Sequence, residues 1–403
     1  MEPEIPIEPT LPSTPTPGSE PPPPGPAGSM CLGFPVNDPA NAGQSPEPER
    51  PYQGLKWVFV GPLGLRAGWS VLIFLALFLL IGNGLGFLLT RLHVIEKGGE
   101  FSARSQFSFE LIAVVGMVLA ASLVAVVERR SILDYNLRGP NRTRNFFSGL
   151  VVGFAALSTL VGSMAYGGWL HFGGVALHGS VALRYAVEWG AVFLLVGCFE
   201  EGTMRCYLQF TLTRGMNFWL AAGLIGAICA FLIFKGKGNG ATGVYVIAGL
   251  GLVPAILLYV RKPKCAGFWY AAWFTSTLFG FGHTGNNGEN WIGIFAAAFI
   301  GFVFCVSIWV TGSAWWAIGC HAAWDWAETY FYGTADSGMV APGHLLSTST
   351  SGKPLWSGGT DGPEGSVLII PIVLLILVWL LVVYRRPRAV PMVVAAGEES
   401  LAS

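Results

Sequence analysis

The sequence predicts an all-α protein, a polytopic bundle of about ten transmembrane helices. Hydrophobic residues make up 53% of its 403 residues and charged residues only 11%, which is too little charge to cover the surface of a soluble domain of this length. The apolar residues also gather into stretches of about 20, the length that a helix needs to cross roughly 30 Å of hydrocarbon. Both observations argue against a water-soluble globular protein.

Ten segments have the required length and composition. They are residues 69–90, 109–127, 147–169, 185–212, 218–234, 241–260, 268–284, 291–311, 314–332 and 366–384. The fifth and the sixth, on either side of KGKGNG, carry the weakest signal. The predicted number of spans is therefore eight to ten.

The chain divides into a tail, a membrane domain and a second tail. Residues 1–55 are crowded with Pro, Ser, Gly and Glu, as in PSTPTPGSEPPPPGPAG, and cannot bury enough apolar surface to offset the entropy lost on ordering. They are predicted to be a disordered tail. Residues 56–390 form the predicted transmembrane helical domain, and residues 391–403 form a C-terminal cytoplasmic tail.

The basic residues predict that both termini are cytoplasmic, because Lys and Arg are enriched in the cytoplasmic loops of membrane proteins. With ten spans, three basic clusters fall on that side: Arg129, Arg130, Arg138, Arg142 and Arg144; Arg261, Lys262 and Lys264; and Arg385, Arg386 and Arg388. The long loop 333–365 then lies on the opposite side with only Lys353. Lys235 and Lys237 depart from the rule.

The net charge and the cysteines indicate which binding partners and which kinds of site to expect. The formal net charge is zero, so nothing points to a nucleic-acid partner, and the expected surroundings are the lipid bilayer. The oligomeric state is left open. Seven cysteines are present without a CxxC pair, and six lie in or beside apolar segments: Cys198, Cys206, Cys229, Cys265, Cys305 and Cys320. These six are interpreted as small core residues rather than as a disulfide framework or a metal site.

Ionisable residues inside the spans are candidates for function, because a charge deep in a bilayer is costly. The fourth span contains FEEGTMRCY, with Glu200, Glu201 and Arg205. Glu201 and Arg205 are four residues apart, so they share a helix face and can pair. Glu200 lies about 100° around the helix and is left as a candidate general base. The alternative is a structural ion cluster that joins helices, and this motif alone does not decide.

A second motif, STLFGFGHTG, lies near the end of the seventh span and contains Phe279 and His283. A histidine beside Gly and Thr in a membrane helix can serve simply as a hydrogen-bond partner for a neighbouring helix. Taken alone, this motif favours that structural interpretation.

The third motif, GCHAAWDWAE, lies in the ninth span. His321, Asp325 and Glu328 are spaced i, i+4 and i+7, so they fall within one narrow stripe of the helix. His321 can exchange a proton while Asp325 holds or complements it. Glu328 is closer to the end of the span and is assigned to the membrane interface. The alternative is a polar stripe that lines a water-filled transport path.

The joint occurrence of these motifs carries more weight than any one of them. Only six histidines exist in the chain, and two of them lie within spans beside the acidic residues. The other four are treated as background: His93, His171, His178 and His344.

EExxxR, FxxxH and HxxxD, in this order on three separate spans, resemble the signature of the CAAX protease and bacteriocin-processing family, which includes the type II CAAX prenyl endopeptidases. The resemblance covers about residues 147–332, with the signature between residues 200 and 325. It implies an intramembrane endopeptidase with its active site in the interior of the bundle. The implied substrate is a membrane-associated or prenylated (CAAX-type) peptide or protein.

The resemblance also assigns catalytic roles. Glu200 matches the family's catalytic glutamate, and Glu201 and Arg205 complete the first motif. His283, preceded by Phe279, matches the histidine of the second motif. Glu200 and His283 are implied to activate a water molecule.

His321 and Asp325 are implied to stabilise the oxyanion of the tetrahedral intermediate. Asp325 occupies a position filled by Asn or Asp in the family. An aspartate donates a hydrogen bond to an oxyanion only when it is protonated, whereas asparagine always can. The alternative role for Asp325 is to orient His321.

The chain departs from the family in the spacing of its first two motifs. Glu200 and His283 are 83 residues apart, whereas relatives usually separate these motifs by a few tens of residues. Residues 216–264 are interpreted as an inserted pair of spans. An even number of extra crossings preserves sidedness, so the motifs can still converge.

Three questions stay open at this point. Two glutamates and two histidines can also ligate zinc, while the same residues suit a metal-independent glutamate mechanism equally well. The leading rival function is a proton- or ion-coupled transporter that uses the same residues, although no clear inverted repeat supports it. A second rival is an inactive membrane scaffold, against which the intact set of motifs argues.

Overall fold

A computed structural model of the chain describes residues 30–31, 34–35, 56–61, 64–95, 102–235, 240–286, 288–336 and 338–384. Most of the predicted tail 1–55, and all of residues 391–403, lie outside these ranges. The disorder of both tails therefore stays a prediction.

The described residues form thirteen α-helices. They are α1 Lys56–Phe59, α2 Ala67–Arg91, α3 Ala103–Val127, α4 Arg142–Tyr166, α5 Gly179–Glu201, α6 Gln209–Thr213, α7 Phe218–Lys235, α8 Gly240–Arg261, α9 Ala266–His283, α10 Trp291–Thr311, α11 Trp315–Trp326, α12 Pro354–Ser357 and α13 Ile369–Val383. Two π-helical segments, Gly202–Leu208 and Ala327–Tyr332, continue α5 and α11. Two short 3₁₀ turns lie at Ile132–Asp134 and Pro363–Gly365.

Strands are few and occur in pairs. Two pairs are formed by two-residue strands: β1 Met30–Cys31 with β2 Phe34–Pro35, and β3 Val60–Gly61 with β4 Gly64–Leu65. The third pair is antiparallel and joins β5 Leu170–Val175 to β6 Leu346–Thr350, with a bulge between Phe172 and Gly174. This pair fastens part of the long loop 333–365 to the segment after α4.

The prediction of a polytopic helical bundle is confirmed. Among the described residues, seven helices are long and apolar enough to cross a membrane: Ala67–Arg91, Ala103–Val127, Arg142–Tyr166, Gly179–Thr213, Phe218–Lys235, Thr242–Arg261 and Trp291–Thr311. They include α7 and α8, the two spans with the weakest sequence signal. The other predicted spans, 268–284, 314–332 and 366–384, coincide with α9, α11 and α13, which are shorter or less apolar. Ten crossings therefore stay a prediction.

The less apolar composition of α9 follows from its surroundings. This helix packs against α6, α8 and α10, and Thr275, Ser276 and Thr277 in it are fully buried. Each of these hydroxyls donates a hydrogen bond to a carbonyl one turn earlier, at 2.9, 2.6 and 2.8 Å. A helix enclosed by protein can carry such side chains because it needs no fully apolar surface toward lipid.

Two helices mark the periphery and the centre of the bundle. Only 6% of the apolar stretch of α2 is buried within the protein, whereas 72% of that of α10 is. The first turn of α10 is capped by Asn290, whose side-chain oxygen accepts hydrogen bonds from the amides of Ile292 and Gly293 at 2.7 and 3.3 Å. This cap orders the polar turn that enters the central helix.

Glycines bring α4 and α11 into direct backbone contact. A Cβ at Gly149 would overlap the carbonyl oxygen of Trp316, and a Cβ at Gly153 would overlap that of Cys320. On the facing helix, a Cβ at Gly319 would overlap the carbonyl oxygen of Phe146. Small residues four apart permit such close approach between membrane helices. The contact holds α11, which carries the third motif, in place.

The proposed insertion 216–264 consists of α7 and α8, which pack against each other. The side chain of Ile225 in α7 fills the space above Gly251 in α8. That these helices are an insertion stays a prediction.

The interpretation of the cysteines is wrong at one position, since Cys265, at the start of α9, is disulfide-bonded. Cys198, Cys206, Cys229, Cys305 and Cys320 are free.

We expect Gly153→Ala to destabilise the protein by about 1–3 kcal/mol, because the added methyl group meets the backbone of α11 and cannot be accommodated by a rotamer change. The measurement is the thermal unfolding midpoint of the detergent-solubilised protein. Gly162→Ala is the matched control, since a Cβ at Gly162 in the same helix has no neighbour within 4 Å. Equal midpoints for the two variants would contradict the close packing of α4 and α11.

Candidate active site

The first motif lies where α5 passes into a π-helical segment. Glu200 and Glu201 end α5, and Arg205 lies inside the segment Gly202–Leu208. A π-helical turn shifts the register of a helix and often occurs at functional sites. The two adjacent glutamates have different environments: the side chain of Glu200 is 34% exposed, whereas that of Glu201 is completely buried.

The buried glutamate is paired. Oε1 of Glu201 accepts a hydrogen bond from Nη1 of Arg205 at 3.2 Å, and neither side chain is exposed. The Arg205 guanidinium lies 4.3 Å from the centre of the Phe279 ring and 5.5 Å from that of Phe304, so two aromatic faces add cation–π attraction. Since a buried carboxylate is costly without a partner, Arg205 is what permits a charged Glu201 at this position.

His321 on α11 joins the two glutamates to the third motif. Its Nδ1 donates a hydrogen bond to Oε1 of Glu201 at 2.8 Å, the same oxygen that Arg205 contacts. Its Nε2 lies 3.7 Å from Oε2 of Glu200 and 3.4 Å from Oδ2 of Asp325. One imidazole is therefore surrounded by three carboxylates from two helices.

His283, at the end of α9, is oriented by its own helix. Its Nδ1 donates a hydrogen bond to the carbonyl oxygen of Phe279 at 2.9 Å, which leaves Nε2 available as an acceptor. The Phe279 ring is edge-on to both imidazoles, with its centre 4.8 Å from that of His283 and 6.1 Å from that of His321. Phe279 therefore packs beside both histidines.

A cavity of about 140 Å³ connects these side chains. It is lined by Glu200, His283, His321 and Asp325 together with Asp336 and Glu364. Most of its remaining wall is apolar and includes Phe193, Val196, Phe279, Ile300, Phe304, Ile369 and Val373. Since one water molecule needs about 10–15 Å³ of such space, the cavity can hold several waters. Five of the six predicted site residues are joined by the contacts above, and His283 shares the cavity.

A second acidic group adjoins the cavity and was not predicted. Glu328, assigned to the membrane interface from its position in the span, is fully buried. The indole nitrogen of Trp324 donates to Oε2 of Glu328 at 3.1 Å and to Oε1 of Glu364 at 2.8 Å. Asp336 accepts a hydrogen bond from the Thr329 hydroxyl at 2.8 Å. For Glu328 the sequence signal was its place in the helical stripe of the third motif. For Asp336 and Glu364 it was the concentration of acidic residues in a loop of a chain that is otherwise poor in charge.

Two more loop carboxyls lie beside the start of α10. The side chains of Glu289 and Asp361 both reach the space above Gly293, where a Cβ would overlap either one. Burial, together with the charge of Asp361, raises the pKa of Glu289 to about 8. Burial also raises the pKa of Asp361 to about 7. A hydrogen bond from the backbone amide of Asn290 acts in the opposite direction and lowers this pKa, but burial has the larger effect.

Sequence reasoning also missed one acidic residue within a span. Glu110 in α3 is only 7% exposed and accepts a hydrogen bond from the Gln106 amide at 2.9 Å. Helix α3 packs against α5, the helix that carries Glu200. Glu110 was missed because it belongs to none of the three motifs. Its position within a predicted span was nevertheless a sequence signal for a functional residue.

The predicted site residues do not fit a zinc ion as they are arranged. A protein zinc site needs at least three ligand atoms around one centre. Among the described residues, one group of three has donor atoms within 4.8 Å of one another, and it consists of Glu328, Asp336 and Glu364. Moreover, Nδ1 of His321 is already engaged by Glu201. The residues of the three motifs therefore offer acid–base chemistry.

Part of the chain matches the model of a known protein family. Residues 258–327 match the family model described as type II CAAX prenyl endopeptidase Rce1-like. This confirms the resemblance to that family indicated by the motifs. The matched segment contains His283, His321 and Asp325 but begins after the first motif. No curated protein and no solved structure matches the chain significantly.

We expect Arg205→Ala to lower the free energy of unfolding by roughly 3–5 kcal/mol, because it leaves Glu201 buried without its partner. Arg184→Ala is the matched control on the same long helix. Arg184 and Glu188 are also four residues apart, but their side chains are 60% and 42% exposed, so the loss should stay below about 1 kcal/mol. Denaturant titration in detergent measures the free energy of unfolding of both variants. Similar decreases for Arg205→Ala and Arg184→Ala would contradict the role of the buried ion pair.

The raised pKa of Glu289 predicts a pH-dependent stability. Its carboxyl has a pKa of 4.5 when unfolded and about 8 when folded, so the folded state binds the extra proton between these values. The contribution of Glu289 to stability should therefore be greatest below about pH 4.5 and fall as the pH rises toward 8, by at most about 1.4 kcal/mol per unit of pKa difference. The unfolding midpoint between pH 5 and 8.5, measured with a chelator present, tests this.

Glu289→Gln should flatten that pH dependence, because the amide does not ionise. Glu188→Gln, which changes an exposed glutamate, should leave the slope as it is in the wild type. A wild-type midpoint that rises between pH 5 and 8.5 would contradict the expectation.

Proposed function

We propose that this protein is an intramembrane endopeptidase that hydrolyses a peptide bond in a membrane-associated substrate of the prenylated CAAX type. The observation that carries the proposal is the cavity shared by Glu200, His283, His321 and Asp325, which come from three helices far apart in sequence. The match of residues 258–327 to a prenyl endopeptidase family supports it.

In the proposed mechanism, a water molecule in the cavity is activated by Glu200 and His283. Glu200 is the exposed member of the glutamate pair, so its carboxylate can reach a water, and Nε2 of His283 can accept from the same water. As the water oxygen attacks the carbonyl carbon of the scissile bond, Glu200 takes one proton. It later gives this proton to the leaving amine when the carbon–nitrogen bond breaks.

The negative charge on the former carbonyl oxygen needs a donor. When both ring nitrogens of His321 carry protons, Nδ1 donates to Glu201 and Nε2 is left to donate toward the cavity. Such a donor, held in place before the reaction, stabilises an oxyanion without reorganisation. The 3.4 Å contact between Asp325 and Nε2 supports the role of Asp325 in orienting His321.

Glu201 and Arg205 are proposed as positioning residues rather than as catalytic residues. Both are completely buried, and Glu201 contacts the imidazole on the side away from Asp325. Their ion pair fixes the ring plane and the tautomer of His321, as a carboxylate does for a catalytic histidine in other hydrolases.

The cavity wall bears on the class of substrate. Phe193, Phe304 and Ile300 present apolar surface beside the polar residues. A site that accepts both a peptide carbonyl and an adjacent apolar group needs this combination. We therefore propose a prenylated peptide over a wholly polar one.

We expect the purified protein, reconstituted into liposomes, to cleave a fluorogenic prenylated CAAX peptide faster than the same peptide without the prenyl group. Glu200→Gln should lower the rate by about 100-fold or more, since it removes the general base. His321→Ala should also lose most of the activity. Glu188→Gln, an exposed change in the same helix as Glu200, is the control and should keep the wild-type rate.

Undiminished cleavage by Glu200→Gln would refute the proposed base. Equal cleavage of both peptides would refute the preference for a prenylated substrate. If no peptide is cleaved while the liposomes conduct protons or ions, the transporter becomes the better description of the same buried residues.

A further inference from the structure

Three carboxylates meet at the edge of the cavity, each from a different segment. Glu328 lies in the π-helical segment after α11, Asp336 follows in the loop, and Glu364 lies in the 3₁₀ turn that precedes α13. One oxygen from each lies within 4.8 Å of the other two. The fold brings Glu364 close to Glu328 and Asp336, which precede it by about 30 residues.

In the part of the chain that the structure describes, the two glutamates of this group are not neutralised by arginine or lysine. Within the described ranges, neither Glu328 nor Glu364 forms an ion pair with a basic side chain. Their shared donor is the single indole N–H of Trp324, which serves both carboxylates. One neutral N–H cannot balance two buried carboxylates, so Glu328 and Glu364 have no positive partner among the described residues.

A second observation, independent of the clustering, indicates a ligand. Oε1 of Glu328 is buried and has no hydrogen-bond partner, although the side chain is completely enclosed. The other oxygen of that carboxylate is the acceptor for Trp324. An unsatisfied buried carboxylate oxygen costs free energy, and such oxygens are rare in native proteins unless an ion or a water meets them.

We propose that Glu328, Asp336 and Glu364 bind a hard divalent cation of the Ca²⁺ class. All three ligands are carboxylates, the donors that Ca²⁺ prefers, and none is the imidazole or thiolate that favours zinc. Oxygens within 4.8 Å of one another match the separation of ligands around Ca²⁺, whose oxygen distances are about 2.3–2.6 Å. Three carboxylates provide up to six oxygens.

The bound cation links the loop to the helices around the cavity. Asp336 and Glu364 line the same cavity as Glu200 and His321. The three ligands come from the π-helical segment, the loop and the turn before α13, so a bound cation would tie these three segments together. This inference concerns binding and does not depend on the proposed peptidase activity.

The first test is the unfolding midpoint of the full-length protein in detergent, compared between CaCl₂ and a chelator. Because a ligand of the folded state raises stability by mass action, we expect a rise of about 5 °C at saturating Ca²⁺. MgCl₂ should give a smaller rise, since Mg²⁺ requires closer octahedral ligands. An equal rise of the unfolding midpoint with CaCl₂ and with MgCl₂ would overturn the preference for Ca²⁺.

The second test uses Tb³⁺, which replaces Ca²⁺ and emits when a nearby indole is excited. Trp324 donates directly to two of the three proposed ligands, so Tb³⁺ at this site should show emission sensitised by tryptophan. Excess Ca²⁺ should displace it. Trp324→Phe should reduce the emission several-fold, while the rise of the midpoint with Ca²⁺ is retained at least in part.

Glu328→Gln and Asp336→Asn should each remove most of the Ca²⁺-dependent rise and most of the Ca²⁺-displaceable emission. Both substitutions keep the size of the side chain, and Asp336 is only partly buried, so Asp336→Asn remains informative if Glu328→Gln does not fold. Glu188→Gln, an exposed carboxylate elsewhere, is the control and should keep both signals. A wild type that shows neither signal, or ligand variants that retain both, would overturn the cation site.

Discussion

The candidate site depends on one buried oxygen, Oε1 of Glu201. It accepts hydrogen bonds from Arg205 in its own helix and from His321 in α11, so it connects the first motif to the third inside the bundle. A charged carboxylate without exposure is sustained only by such partners. In return, it fixes the orientation of the imidazole that faces Glu200, Asp325 and the cavity. Removing any of the three leaves a buried charge or an unsatisfied donor.

Backbone geometry brings these side chains to one place. Glycines at 149, 153 and 319 let α11 lie directly against α4, and a methyl group at any of them would overlap a carbonyl oxygen. The two adjacent glutamates at the end of α5 lie about 100° apart around the helix, so one faces the protein interior and the other faces the cavity. The chemical difference between Glu200 and Glu201 therefore arises from helix packing and not from residue type.

Acidic residues continue from the motifs into the loop before α13. Asp325 faces His321, and Asp336 and Glu364 reach the same cavity from outside the helices. The antiparallel pair of β5 and β6 holds part of this loop against the end of α4. A cation at Glu328, Asp336 and Glu364 would make the loop a structural wall of the proposed active site, which connects the two proposals without making either depend on the other.

The sequence by itself determined the helical membrane fold and the three motifs, because long apolar stretches and i, i+4 spacing are local properties of the chain. It also predicted the pairing of Glu201 with Arg205, which lie one helical turn apart. Only the tertiary structure decided that Glu201 holds His321, that Glu328 is buried, and that Asp336 and Glu364 approach it. These contacts join segments distant in sequence, and no local pattern specifies which distant side chains will meet.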